Sequence, residues 1–146
     1  MAVRGIRGAV DVGANSAEEI RDRTQDLLRA MVGANGVGAD DVAAAFFTMT
    51  PDLDADFPAH AARRMGWDRV PLMCATEIAV PGAMGRVIRV LLLVNTRAPA
   101  SRIRHQYLGG TSCLRPDLAT RPDGTRAPKS SRPNSRSTRT SAGGTR

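Results

Sequence analysis

Apolar residues recur along the chain in short blocks separated by Gly, Pro and Asp, and the period within each block selects an element. Val3, Ile6, Val10 and Val12 are β-prone positions in a stretch from Ala2 to Val12 that also carries Arg4 and Arg7. Gly5 and Gly8 inside that strand point to a bulge or a close backbone approach. The period then lengthens: Ile20, Leu27, Leu28 and Met31, with Thr24 between, share one face of a 3.6-residue repeat. Ser16 as N-cap with Glu19 three residues on has the form of a capping box, Glu18 and Glu19 lie where the helix dipole favours acids, and Gly33 or Gly36 ends the helix.

Val42 to Thr50 reads as a buried strand closed by Pro51-Asp52, although Ala43 to Ala45 weaken its β propensity. Phe57-Pro58 to Met65 fits a short helix, with Pro58 in the first turn and Gly66 at its end. Two more strands follow, Pro71 to Ile78 and Arg86 to Asn95. The second carries a dense Val/Ile/Leu run, and the Pro81-Gly82-Ala83-Met84-Gly85 turn joins them. Pro99 to Ile103 fits a helical turn and Arg104 to Leu108 a last short strand, with no internal repeat.

The 146 residues suit one compact domain. A formal charge of +7 suggests a nucleic-acid or membrane-surface partner until it is divided along the chain. Up to Leu118 there are 14 basic and 13 acidic residues, whereas Ala119 to Arg146 holds 7 basic and 1 acidic. That last segment is Arg, Ser, Thr, Pro and Gly with almost no apolar residue, so it cannot offset its ordering entropy and is expected to be a disordered basic tail. The domain before it, residues 1–118, is nearly neutral. Aromatics make up only 3%, which leaves no base-stacking surface. Apolar runs such as Val90 to Val94 are far short of a membrane span. Residues 1–7 hold arginines but no apolar leader core, and Cys74 and Cys113 form no disulfide framework, so a cytoplasmic protein is expected.

The candidate chemistry is narrowed first by what does not fit. His60 and His105 stand in no metal-ligand spacing with the cysteines, and residues 82–85 lack the lysine and hydroxyl of a phosphate loop. Arginine on β-structure remains. Arg4, Arg7, Arg86, Arg89, Arg104 and Arg115 lie in or beside apolar stretches, where a guanidinium is costly without an anion. Structural ion pairs with Asp52, Asp54 or Glu77 are one reading. The other is an anion site built from Arg7, Arg89 and Glu77, suited to a small dicarboxylate because the guanidinium fork matches carboxylates.

Eight short strings lie in register over roughly residues 2 to 118: Arg4-Gly5-Ile6-Arg7-Gly8-Ala9, Thr50-Pro51-Asp52-Leu53, Phe57-Pro58-Ala59, Cys74-Ala75-Thr76-Glu77, Ile88-Arg89-Val90, Ile103-Arg104-His105, Tyr107-Leu108 and Leu114-Arg115-Pro116-Asp117-Leu118. Together they resemble the monofunctional chorismate mutases of the Bacillus type. The resemblance implies an α+β fold, a mixed five-stranded sheet with helices on one face, assembling as a homotrimeric pseudo-α/β barrel with active sites between subunits. It implies the cofactor-free Claisen rearrangement of chorismate to prephenate, a step toward phenylalanine and tyrosine. It implies neither a membrane nor a nucleic-acid partner, apart from weak contact through the basic tail.

By position, Arg89 matches the residue that donates to the ether oxygen, Arg7 the one that binds a substrate carboxylate, and Tyr107 a nearby hydrogen-bonding group. Glu77 matches the carboxylate that accepts from the ring hydroxyl and faces positive charge growing on the ring, and Cys74 lines the same pocket. Phe57, Ala59 and Arg63 match a wall and entrance supplied by the adjacent subunit, with Leu72, Met73 and Leu114 completing the apolar lining. His60 stands in place of a lysine, which implies a weaker, pH-dependent contact at the pocket mouth.

Three of these have ordinary structural readings as well. Tyr107 is also an edge-strand aromatic, Phe57 a hydrophobic staple and Cys74 a small buried apolar residue. Gly109 to Cys113 departs from the family pattern, which leaves the ordering of the segment before Leu114 open. A non-catalytic small-anion-binding trimer on the same scaffold is the alternative function.

Overall fold

A computed structural model describes residues 1–117; the expected tail lies outside the described residues. Five strands, β1 (Ala2–Asp11), β2 (Val42–Met49), β3 (Leu72–Thr76), β4 (Val87–Thr96) and β5 (Gln106–Tyr107), form one sheet in the order β3-β2-β4-β1-β5. β4 runs antiparallel to both β1 and β2, while β5 and β3 add in parallel at the two edges, so the sheet is mixed. The helices α1 (Ala17–Asn35) and α2 (Ala59–Arg64) cover one face. This is the α+β architecture expected from the resemblance.

α1 buries Ile20, Leu27, Leu28 and Met31 completely. Thr24 is tolerated among them because its hydroxyl donates to Ile20 O at 2.6 Å. Ser16 caps the helix by accepting the Glu19 N–H at 3.2 Å, but the reciprocal half of the capping box is absent. The Glu19 carboxylate takes the Gly13 N–H instead, at 2.8 Å, tying the incoming loop to the first turn. Gly36, at φ 60°, ends the helix, and Gly33 lies within it.

Each strand shows the helices alternate residues. Ile6, Val10, Ala45, Phe47, Ile88, Val90, Leu92 and Val94 form the covered face. β2 is thus half-buried rather than the buried strand expected, since only one face of the sheet is covered, and a register shift at Val42/Ala44 disturbs its start. Gly8 is where α1 comes closest: a Cβ there would lie 2.5 Å from the Met31 sulfur and 2.9 Å from Leu27 Cδ1. The β1–β4 register runs unbroken past Gly5 and Gly8, so close approach, not a bulge, accounts for Gly8.

β5 is shorter than the 104–108 strand expected. The Asn35 side chain takes both the Arg104 N–H and the Arg104 carbonyl, each at 2.8 Å, and so occupies the groups a longer ladder would need. The segment before Leu114, whose ordering the departure from the family pattern left open, takes regular structure. Gly109–Cys113 forms a 3₁₀ turn around fully buried Thr111, whose hydroxyl lies 2.6 Å from Leu108 O and 3.0 Å from Ala9 O. α2 ends at Gly66, φ 83°, and buries Ala61 and Ala62.

Candidate active site

The sheet registers decide which side chains meet on the uncovered face. Tyr107 pairs with Ala9, Ala9 with Arg89, Arg89 with Thr48, and Thr48 with Ala75, giving one row across all five strands. The neighbouring row holds Arg7, Leu91, Phe46 and Met73. Arg7 and Arg89 are therefore diagonal neighbours on adjacent antiparallel strands, about 7–8 Å apart by ladder geometry. Ala9 is completely buried between Tyr107 and Arg89. A cavity of about 330 Å³ spans the two rows, walled by Arg7, Tyr107, Arg89 and Thr48.

Glu77 joins this group from just beyond β3, where its N–H donates to Met49 O at 2.9 Å. Its carboxylate is 11% exposed and both oxygens are engaged: Oε2 with Arg89 Nη1 at 2.6 Å, and Oε1 with the Thr48 hydroxyl at 2.7 Å. Among the described residues no hydrogen-bond or ion-pair partner meets the Arg7 guanidinium. Two guanidinium groups and one paired carboxylate leave a net positive charge on this face, which favours a small anion.

Tyr107 is held in place from several sides despite its short strand. Leu108 N–H donates to Ala9 O at 2.9 Å, and Arg7 N–H donates to His105 Nδ1 at 2.9 Å. Arg89 is fixed from the start of β4. There Arg86 adopts φ 52°, unusual for a residue with a side chain, and its N–H points at both Asp52 oxygens, at 3.1 and 2.9 Å. Asp52 also accepts from the Thr50 hydroxyl at 2.5 Å, and that bond, with the Arg86 N–H, holds its carboxyl below the usual value. The ion pair of Arg89 with Glu77 is one of those expected for strand arginines, whereas Asp52 takes the Arg86 backbone N–H and Asp54 the Asn15 side chain.

The other predicted site residues lie elsewhere. Ala59, His60 and Arg63 are on α2, Phe57 stands just before it, and Leu72 and Cys74 belong to the helix-covered face of β3. Cys74 is half-buried, and burial pushes its thiol up against the lowering influence of the Ala59 N–H. It thus stands with α2, on the opposite face of the sheet from Arg89. Both cysteines are free. Phe57 is 63% exposed and staples nothing; its ring stands edge-on to His60, with centroids 5.6 Å apart. Arg63 folds back to donate to Trp67 O. Met73 is exposed on the opposite face from Cys74, and Leu114 follows the 3₁₀ turn, its N–H donating to Thr111 O. Within one chain, then, the site residues form two groups on opposite sides of the sheet.

Residues 3–118 match the family described as chorismate mutase type I. The chain belongs to that family. It is 51% identical over 117 residues to "Chorismate mutase AroH" of Thermus thermophilus, spanning 80% of this chain and 96% of that protein. It is 42% identical over 120 residues to "Chorismate mutase AroH" of Bacillus subtilis, spanning 82% and 94%. A solved structure, "Chorismate mutase from Clostridium thermocellum", superposes with a TM-score of 0.76 at 49% identity, covering 76% of this chain and 99% of that one. These type I matches give no support to the non-catalytic alternative.

Two functional neighbours escaped the sequence reading of this type I chain. Thr48 looks like one more β-prone residue until the register places it opposite Arg89. Asp56 lies four residues before His60, a helical spacing that could have flagged it. Its carboxylate accepts the Phe57 N–H at 2.8 Å, meets His60 Nδ1 at 2.7 Å and pairs with Arg21 at 3.0 Å. Among the described residues no group of three or more His, Cys, Asp or Glu side chains could hold a metal ion, and no helix is long and apolar enough to cross a membrane.

Proposed function

We propose that this chain converts chorismate to prephenate by a cofactor-free Claisen rearrangement, at sites shared between neighbouring copies of a homotrimer in the cytoplasm. The observation that carries the reading is the convergence of Arg7, Arg89, Glu77 and Tyr107 on one sheet face of a type I chorismate mutase. A pericyclic step moves no proton to or from the enzyme, so the site must bind the compact conformer of the substrate and stabilise charge that separates as the C–O bond breaks.

Arg89 supplies that stabilisation at the ether oxygen: one nitrogen is held by Glu77, and the rest of the fork is left to donate into the cavity. Arg7, whose guanidinium meets no partner among the described residues, binds a substrate carboxylate, and Tyr107 hydrogen-bonds beside it. Glu77 faces the positive charge that develops on the ring. Phe57, Ala59, His60 and Arg63, together with Leu72, Met73, Cys74 and Leu114, complete the wall and entrance around the site. The α2 members come from the adjacent copy, which accounts for their separation from the arginines within one chain. The apolar row of Leu91, Phe46 and Met73, exposed at Leu91 and Met73 and half-buried at Phe46, supports burial of this face by assembly.

Residues 1–118 form the catalytic domain, and the basic segment 119–146 has at most weak, salt-sensitive affinity for nucleic acid. The deciding experiment incubates purified full-length protein with chorismate and follows prephenate, alongside light scattering for mass. Catalysis by a species of three chains is expected; no acceleration over the uncatalysed reaction refutes the reading. A chain cut after Leu118 should keep the full-length kcat.

A further inference from the structure

Glu77 has two carboxylate oxygens, and the protein uses them differently. Oε2 holds the Arg89 guanidinium at 2.6 Å. Oε1 is taken at 2.7 Å by the hydroxyl of Thr48, which stands directly opposite Arg89 in the β2–β4 register and beside Ala75 on the other side. Glu77 itself lies past the last residue of β3, so the ladder fixes its backbone but not its side chain. Without a second anchor the carboxylate could rotate about its terminal torsion, and Arg89, whose side chain is 42% exposed, would follow it.

We propose that Thr48 is a positioning residue: its hydroxyl sets the plane of the Glu77 carboxylate, and through it the direction in which the Arg89 fork enters the cavity. This rests on the roles given to Arg89 and Glu77 above. β-Branching makes Thr48 suited to the task. It restricts the first side-chain torsion on a strand, so the hydroxyl is aimed before Glu77 arrives. Thr48 and Arg89 both border the Arg7–Tyr107 cavity and a larger cavity of about 950 Å³, and Glu77 lines the larger one. The hydroxyl therefore braces a carboxylate beside open space, and with it an arginine that borders two cavities.

The test uses full-length Thr48→Val, which keeps shape and branching but removes the donor, with Thr48→Ser as the rescue and Arg89→Ala as the reference. A misaimed charged donor predicts a fall in kcat of about 10- to 100-fold for Thr48→Val with KM changed by less than about threefold, because binding through Arg7 survives. Thr48→Ser should recover most of that loss, and the melting temperatures of both variants should stay near wild type. Wild-type kcat in Thr48→Val alongside a strongly impaired Arg89→Ala overturns the inference while leaving the site intact. A loss that Thr48→Ser does not recover, or that follows the melting temperature, also overturns it, since Thr48 would then be a packing residue. Wild-type kcat in Arg89→Ala overturns the reading of the site and this inference with it.

Discussion

Replacing Arg89 with alanine separates what the guanidinium does for the fold from what it does for the reaction. In folding, its bond to Glu77 is short, 2.6 Å, but the arginine side chain is 42% exposed, so screening reduces the pair to about 1 kcal/mol or less. Glu77, though only 11% exposed, is not stranded by the loss, because Thr48 still donates to it at 2.7 Å. In the reaction the same group is a preorganised donor aimed at developing charge, and removing one such donor costs roughly 10²–10³ in kcat, about 2.7–4 kcal/mol.

The catalytic effect should therefore exceed the stability effect severalfold. Arg89→Lys keeps the charge but not the fork and is expected to behave more like the alanine variant than like wild type. Chorismate consumption gives kcat and KM, and a thermal melt of the same samples gives the stability change. An Arg89→Ala kcat within about threefold of wild type would refute the reasoning. So would an activity loss no larger than the loss of folded protein at the assay temperature.

Three further outcomes follow from groups around the site. Burial works to raise the Asp56 carboxyl, but the Phe57 N–H, His60 and Arg21 together hold it below the ordinary value of 3.8. A depressed folded-state pKa adds stability that is present above the unfolded value and is lost as pH falls through the folded one. Asp56→Asn should thus melt below wild type at neutral pH, with the gap closing on acidification below 3.8, and parallel melting curves across that range would contradict it. Asp52→Ala leaves the Arg86 N–H without its acceptor and should cost about 1–2 kcal/mol in denaturant unfolding, with a lower kcat because β4 begins there. With a thiol-alkylating reagent at mildly alkaline pH, exposed Cys113 should react before Cys74, whose half-buried thiol is pushed up; mass spectrometry of partially labelled protein reads the order.

Much of the fold is legible in the apolar periods because burial is what those periods encode. The run from Val87 to Val94 and the face of Ile20, Leu27, Leu28 and Met31 both end against one another in the core. Less legible are features decided by side chains that bond to backbone far away in the chain. Asn35 truncates β5, Thr111 orders the turn before Leu114, and Glu19 is drawn to Gly13 instead of completing its box. The site divides in the same way. Arg7 and Arg89 stand out in sequence as charges on apolar strands, and their pairing with Glu77 was among the readings. Which face they occupy, and that Thr48 stands between them and Glu77, depends on a register that no local pattern states. The separation of Cys74 from Glu77, three residues apart in sequence, has the same origin: strand alternation sends Cys74 to the covered face.

The five-strand row from Tyr107 through Arg89 to Ala75 also constrains how this protein can change over generations. Side-chain direction on a strand is a parity, so deleting the Ile88 codon would turn the guanidinium into the core and put Val90 in its place. No conservative intermediate lies between the two states, and fold and chemistry would fail in the same step. The turn at residues 81–85 and the stretch between β4 and β5 carry no such parity. Length variation among descendants of this gene should therefore collect in those segments and be absent from β1 and β4, which a library of single-codon deletions scored for chorismate turnover would display directly.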